Sequence, residues 1–171
     1  MEIPNKISKI LLIDAAATTG WAIAEQGKKI KSGIIYLGGS SLDSHDTKTF
    51  NMVAWLDSMV INHDLDDRLV VIKELVYSNP KKPSAAQPLY HYEAGIAYWC
   101  QLNQITLKGL YPQTLKSVAG VSKKQDIIKW VESKGYKPKD DNQADAIVMA
   151  FWAQDNWRSI INETAILQRD K

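Results

Sequence analysis

The stretch KILLIDAAATTGWAIA, residues 9–24, decides the fold of this chain. Its apolar run, residues 10–13, has no polar alternation, which is typical of a strand buried on both faces. Asp14 follows directly, so a strand over residues 9–14 is predicted to end in a carboxylate where it reaches solvent. An acidic group in that position is the first indication of a functional site.

The remaining sequence continues a sheet and then alternates helices with strands. After a tight connection predicted at residues 18–20, strands at 21–24 and 30–37 complete an antiparallel meander with the first strand. Two more strands and four helices are predicted at 47–62 (helix), 69–74 (strand), 86–101 (helix), 105–110 (strand), 123–134 (helix) and from 141 or 142 (helix). This order predicts an α/β fold with a central mixed five-stranded sheet, a meander plus parallel strands, flanked by helices on both faces.

Two boundaries complete the prediction of the architecture. Ser122 and Gln125 have capping-box spacing, so the helix after them is predicted to begin at Lys123. Residues 1–156 are predicted to form one domain, and residues 157–171 a C-terminal tail that either extends the last helix or covers a partner.

Composition limits the chemistry that is available. The net charge is +2, from 21 Lys+Arg against 19 Asp+Glu, which neither demands nor excludes a polyanionic partner. A lone cysteine, Cys100, excludes an internal disulfide and a zinc site of the Cys/His type. With three histidines in all, a metal would be held mainly by oxygen, which favours Mg²⁺ or Mn²⁺. No apolar run reaches membrane-spanning length, and MEIPNKIS (1–8) lacks a secretion signal, so no membrane association and a cytoplasmic location are expected.

Four acidic residues are placed as ligands of divalent metals. Asp14 and Glu74 each end a predicted strand, and Asp141 and Asp145 are spaced i,i+4 at the start of the last predicted helix. The two strand ends meet only if the first and fourth strands are neighbours. Two metal ions about 4 Å apart, held by such a group, activate a water and offset charge on the leaving oxygen during phosphodiester hydrolysis.

Each acid also has an ordinary structural interpretation. Asp14 suits a turn after a strand, Glu74 suits a solvated strand end beside Lys73, and Asp141 suits a helix N-cap. Asp145 is harder to explain in this way, because it lies in an apolar helical stripe where an unpaired carboxylate is costly.

Basic and aromatic residues accompany these acids. Those that follow the fourth strand are Tyr77, Lys81 and Lys82. Those around the loop before the third predicted helix are Lys116, Lys123 and Lys124. Beside a metal site, lysines would hold phosphates and a tyrosine would stack on bases, although each lysine alone is equally an ordinary solvated charge. The grouping favours a nucleic-acid substrate.

These motifs, in this order, resemble those of the RuvC-like Holliday-junction resolvases of the RNase H-like nuclease superfamily, in particular the bacteriophage versions. The similarity covers residues 9–153. It rests on LLIDAAATTGWAIA, VVIKELVY, TLKSVAGVSKKQDIIKWV and DDNQADAIVMA. The first segment is similar to the family's D-P-x-x-T-G-[WY] strand turn, and the last to its ADALA-type helix. The resemblance implies an RNase H-like fold.

The resemblance also implies a function and a set of site residues. It implies a homodimeric endonuclease that uses two Mg²⁺ ions per active site, with Mn²⁺ as a substitute, and nicks two strands of branched DNA. The products would carry 5′-phosphate and 3′-hydroxyl ends. By position, the catalytic acids match Asp14, Glu74 and Asp145, the junction-entering aromatic matches Tyr77, and the catalytic or phosphate-binding lysines match Lys116 and Lys123 or Lys124. The dimer surface would lie on the helix predicted at 86–101, with Tyr90, Tyr92, Tyr98 and Trp99.

One departure from the family pattern leaves alternatives open. The usual fourth ligand lies three residues before the last aspartate, where this chain has Asn142, with Asp141 one step earlier. Either residue is a candidate ligand. The alternative functions are cleavage of forks or flaps, an RNase H-like nuclease for RNA–DNA hybrids, and a junction-binding protein without catalysis. A nucleotide-binding module of the actin and sugar-kinase type is disfavoured, because DAAATTG (14–20) lacks paired glycines and the chain is too short for two lobes.

Overall fold

A mixed sheet lies at the centre of the computed structural model, which describes residues 7–38, 45–76 and 87–169. Within these ranges the strands are β1 (Lys9–Asp14), β2 (Thr18–Ala24), β3 (Lys31–Tyr36), β4 (Leu69–Glu74) and β5 (Thr106–Leu110). Their order across the sheet is β3-β2-β1-β4-β5. β1, β2 and β3 pair antiparallel, whereas β4 pairs parallel with both β1 and β5. The predicted five-stranded mixed sheet and its meander are confirmed.

Helices cover both faces of this sheet, as predicted. They are α1 (His45–His63), α2 (Gln87–Leu102), α3 (Pro112–Ala119), α4 (Lys124–Ser133), α5 (Asp141–Asp155) and α6 (Trp157–Arg169). The core on one face is formed with α1 and α2, and the core on the other with α3 to α6. In these ranges no helix is both long and apolar enough to cross a lipid bilayer.

The first strand contributes to both cores, because side chains alternate between the two faces of a strand. Ile10 and Leu12 pack on the side of α5, and Leu11 and Ile13 pack on the side of α1 and α2. All four are completely buried. The unbroken apolar run therefore predicted the central position of this strand correctly.

The connection between β1 and β2 differs from the prediction. Residues 18–20 belong to β2, and residues 15–17 make the turn. The hydroxyl of Thr19 donates to the carbonyl of Ala16 at 2.6 Å and accepts from its N–H at 3.3 Å, so a strand side chain closes the turn. Gly20 pairs with Asp14, and a Cβ at Gly20 would overlap the backbone of Asn142. The glycine thus lets the start of α5 pack directly against β2.

Two helix starts also differ, whereas α5 begins at Asp141 as predicted. The prediction lacked α3, which has Pro112 in its first turn and ends at Ala119, with Gly120 as its C-cap in the left-handed conformation, φ 65°. The start of α4 is Lys124, with Lys123 as an N-cap that makes no side-chain capping bond. The predicted capping box at Ser122 is therefore wrong, since Ser122 lies one residue before the N-cap. The N-cap of α5 is Asp140, which accepts from the N–H of Gln143 at 2.8 Å.

The C-terminal segment forms its own helix. α5 ends at Asp155, with Asn156 as its C-cap, and α6 follows it as a separate helix. Trp157, Ile160 and Thr164 of α6 are buried, the first two within the same core as α5. The division into a domain over 1–156 and a tail over 157–171 stays a prediction.

Candidate active site

The sheet topology brings the two strand-end acids together. β1 and β4 are parallel neighbours whose register pairs Ile13 with Lys73, so Asp14 and Glu74 emerge side by side at the same edge. Lys73 forms an ion pair with Glu93 of α2. The prediction chose Glu74 over its neighbour Lys73 for the site, and in the structure a carboxylate oxygen of Glu74 lies beside those of Asp14 and Asp145.

The third acid comes from α5. One carboxylate oxygen from each of Asp14, Glu74 and Asp145 lies within 4.8 Å of the others. The α5 backbone packs against β2 at Gly20, which brings the helix start over the strand ends. Three elements that are distant in sequence therefore meet in one acidic cluster, as a metal site requires. We refer to Asp14, Glu74 and Asp145 as the carboxylate cluster.

Asp145 carries the clearest sign of a missing counter-charge. Its side chain is 7% exposed, and its Oδ1 atom is buried without a hydrogen-bond partner among the described residues. Buried polar atoms in proteins are nearly always paired, and an unpaired carboxylate oxygen is more costly than a neutral group. An oxygen donor in this state fits a hard divalent cation.

The pKa values of the carboxylate cluster reflect burial and mutual repulsion. Burial, followed by the charges of Glu74 and Asp145, raises the pKa of Asp14 well above its ordinary value. Burial and the charge of Asp145 raise the pKa of Glu74 to about 7, and burial is the main cause that raises the pKa of Asp145 to about 6. A bound cation would reverse these effects by stabilising the ionised forms.

Lys124 and Asp141 lie beside the carboxylate cluster. The Nζ atom of Lys124 is 2.8 Å from Oδ2 of Asp141 and 3.5 Å from Oδ2 of Asp145. Burial acts to lower the pKa of Lys124, but the hydrogen bond to Asp141 and the nearby acidic charges outweigh it and raise the pKa. The same hydrogen bond is the main cause that lowers the pKa of Asp141. The carboxylate of Asp141 is 48% exposed, so this ion pair lies at the mouth of the site.

The other residues predicted for the site do not belong to the carboxylate cluster. Asn142 donates from Nδ2 to the carbonyl of Thr18 at 2.6 Å, which ties α5 to the start of β2 and leaves the amide oxygen as the ligand it can offer. Lys116 on α3 and Lys123 before α4 are exposed. The residues predicted on the loop after β4 lie outside the described ranges; they are Tyr77, Lys81 and Lys82.

A pocket beside the acids was not predicted from the sequence. It has a volume of about 190 Å³, and its lining joins the Asp14 and Glu74 carboxylates to apolar residues: Ala15, Leu75, Val76, Leu89 and Pro112. Two sequence signals could have indicated it. Leu75 and Val76 continue directly from Glu74, and Pro112 stands two residues after the end of β5.

The sequence matches no family model and no curated protein. Among solved structures, that of Thermus thermophilus RuvC is similar, with a TM-score of 0.67 and 13% identity, over 88% of this chain and 96% of that chain. The fold of this chain is the RNase H-like fold of RuvC. The structure of T. thermophilus RuvC in complex with a Holliday junction substrate is similar over the same shares, with a TM-score of 0.68 and 12% identity. The predicted fold is confirmed, whereas the bacteriophage type stays a prediction.

Proposed function

We propose that this protein is a metal-dependent, structure-selective endodeoxyribonuclease that resolves four-way DNA junctions, and other branches such as forks or flaps, by paired nicks. The observation that carries the proposal is the carboxylate cluster, three acids within 4.8 Å that include a buried, unpartnered oxygen of Asp145. The fold, shared with a protein solved on a Holliday junction, supports branched DNA as the substrate. A cytoplasmic location, in a bacterial host if a bacteriophage encodes the chain, is part of the same proposal.

The donor set fits divalent metal ions. Asp14, Glu74 and Asp145 supply oxygen ligands alone, which suits Mg²⁺, with Mn²⁺ as a substitute. We propose two ions per site, with Asp141 or the amide oxygen of Asn142 as a further ligand. The bound ions would supply an activated water and offset negative charge on the leaving 3′-oxygen, which gives 5′-phosphate and 3′-hydroxyl products.

The lysines have distinct proposed roles. Lys124 contacts Asp141 and Asp145, so its ammonium group lies within reach of a phosphate held at the carboxylate cluster. Lys116 and Lys123 lie close to Lys124 in the sequence, and both are exposed. We propose that they contact the DNA backbone. The same proposal extends to three residues that follow β4 in the sequence, Tyr77, Lys81 and Lys82.

Paired nicks require two active sites, and α2 offers a surface for a second copy of the chain. Tyr92 and Trp99 of α2 are buried, whereas Tyr90, Tyr98 and Leu102 are 43%, 60% and 66% exposed. The helix thus has one aromatic face in the core and one facing outward, as an apolar dimer interface requires. We propose that the chain forms a homodimer through this outer face. Light scattering tests this proposal by comparing the molar mass of the wild type with that of Tyr98→Asp.

A second candidate is a junction-binding protein without catalysis. It is favoured by Asn142, which stands at the usual position of an acidic or histidine ligand and is held by a hydrogen bond to Thr18. In this case the protein would bind four-way junctions tightly and leave them intact with either metal.

The proposal is tested by cleavage of end-labelled substrates with Mg²⁺ or Mn²⁺. The panel contains a four-way junction, a fork, a flap, a matched duplex and an RNA–DNA hybrid. Nicking of the branched DNAs, lost in Asp14→Asn while binding remains, supports the proposal. Cleavage of the hybrid alone would assign the site to RNA–DNA substrates, and tight junction binding without cleavage would favour the second candidate.

A further inference from the structure

The pocket beside the carboxylate cluster has a composition that phosphate chemistry alone does not require. Its acidic side consists of Asp14 and Glu74, which would face a phosphate through bound cations. The rest of the lining is apolar and consists of Ala15, Leu75, Val76, Leu89 and Pro112. A phosphodiester has no apolar part, but the nucleosides on either side of it do.

The apolar side is held in place by the sheet. The N–H of Leu75 donates to the carbonyl of Leu110 at 2.8 Å, which extends the pairing of β4 with β5 one residue beyond Glu74. The side chain of Leu75 lies over Gly109, where a Cβ would overlap it. Pro112 is fixed in the first turn of α3. Leu75 and Pro112, two of the apolar lining residues, are therefore held by regular secondary structure.

Tyr111 directly precedes Pro112, which lines this pocket. It is the N-cap of α3, but it makes no side-chain capping bond and its side chain is 67% exposed. Ser, Thr, Asp and Asn are preferred at N-caps because their side chains bond to the first turn. An exposed aromatic residue thus stands where local stability favours a small polar one.

We propose that this pocket, together with Tyr111 beside Pro112, receives the base of an unpaired nucleotide that flanks the scissile phosphate. The inference rests on the proposed nuclease function and specifies how its substrate is held. The volume of about 190 Å³ is below the range of drug-sized sites, about 300–1,000 Å³, and suits a single ring system. Since bases in a matched duplex are stacked and paired, while a branch offers unpaired bases at lower cost, the pocket would select branch points.

The test compares Tyr111→Ser with Tyr111→Phe. Serine supplies a better N-cap, so Tyr111→Ser should melt at the same or a higher temperature than the wild type. The same variant should lose about tenfold in single-turnover cleavage of a four-way junction, because base stacking on an aromatic side chain is lost. It should lose affinity to a similar extent in an Asp14→Asn background, where no cleavage occurs. Tyr111→Phe should retain both. Tyr36→Ser, also an exposed tyrosine but on the opposite edge strand β3, is the matched control.

Abasic substrates distinguish stacking from a structural role. Removing the flanking base that enters the pocket should slow cleavage by the wild type about tenfold. On this abasic substrate, Tyr111→Ser should cleave as slowly as the wild type, because the contact is already lost. An abasic site five nucleotides away should have no such effect. If the two losses add in full, or Tyr111→Ser cleaves like the wild type, the pocket inference is wrong and the nuclease proposal stands. If the wild type neither cuts nor binds branched DNA, both fail.

Discussion

Replacing Glu74 with glutamine should stabilise the metal-free protein and remove most of its response to divalent ions. Glu74 lies within the carboxylate cluster, where burial and the charge of Asp145 raise its pKa from 4.5 to about 7. Glutamine has nearly the same shape and can still hydrogen-bond, but it carries no charge. The substitution therefore removes a repulsive carboxylate without opening a cavity.

The magnitude follows from the difference between the folded and unfolded pKa values of Glu74. A shift from 4.5 to about 7 corresponds to roughly 3 kcal/mol, at about 1.36 kcal/mol per unit. The folded state binds the proton of Glu74 more tightly than the unfolded state does. The stability that this proton contributes is therefore fully present below pH 4.5 and is lost as the pH rises through 7. At pH 8 the Glu74→Gln variant should therefore gain roughly 1–3 kcal/mol in free energy of unfolding over the wild type. At pH 4 the difference should be small.

The assay is urea denaturation at pH 5, 6, 7 and 8 in EDTA, followed by the same series with Mn²⁺. The wild type should lose stability with rising pH in EDTA and regain it with Mn²⁺, since a ligand at 100 times its Kd contributes about 2.7 kcal/mol. Glu74→Gln should show a flatter pH profile and a smaller response to Mn²⁺. Glu132→Gln, an exposed position on α4, should behave like the wild type. A Glu74→Gln variant that is less stable than the wild type at pH 8 in EDTA would refute the cost of burying a charged Glu74 beside Asp145, on which this reasoning depends.

Three further substitutions test other parts of the site. Lys124→Met removes the ion pairs to Asp141 and Asp145, so single-turnover cleavage should fall on the order of a hundredfold; an unchanged rate would exclude a role for this lysine. Gly20→Ala should destabilise the protein by about 1–3 kcal/mol in urea denaturation, because its Cβ overlaps the α5 backbone, and a neutral result would contradict that packing. Asn142→Asp should lower metal-free stability at pH 8 but tighten Mn²⁺ binding in calorimetry, and weaker binding would assign the further ligand elsewhere.

Much of the fold was predictable, and so were the positions of the acids, because both depended on the hydrophobic pattern within single strands and helices. The buried run before Asp14 and the strand ending at Glu74 each placed a carboxylate at a strand end. Asp145 stood out as a charge inside an apolar helical stripe. These signals lie within single elements, and the parallel pairing of β1 with β4 then brings the elements together.

The features that were missed depend on contacts between distant residues or on weak local signals. α3 is only eight residues long and its N-cap, Tyr111, is not a capping residue, so Pro112 in the first turn is a weak signal of its start. The turn after β1 is closed by a side chain from within β2, Thr19, which a turn pattern does not reveal. Lys123 and Lys124 are neighbours in sequence, and only the orientation of α4 decides that Lys124 meets Asp141.

The most direct test of the carboxylate cluster is nicking of a four-way junction in Mg²⁺ by Asp145→Asn, compared with Asp155→Asn. Both aspartates lie on α5, but Asp145 is buried in the cluster and Asp155 is exposed at the end of the helix. The cluster predicts wild-type nicking by Asp155→Asn and a loss of nicking by Asp145→Asn, with junction binding intact in both. Nicking by Asp145→Asn at the wild-type rate would show that the chemistry occurs elsewhere and would contradict the assignment of this site.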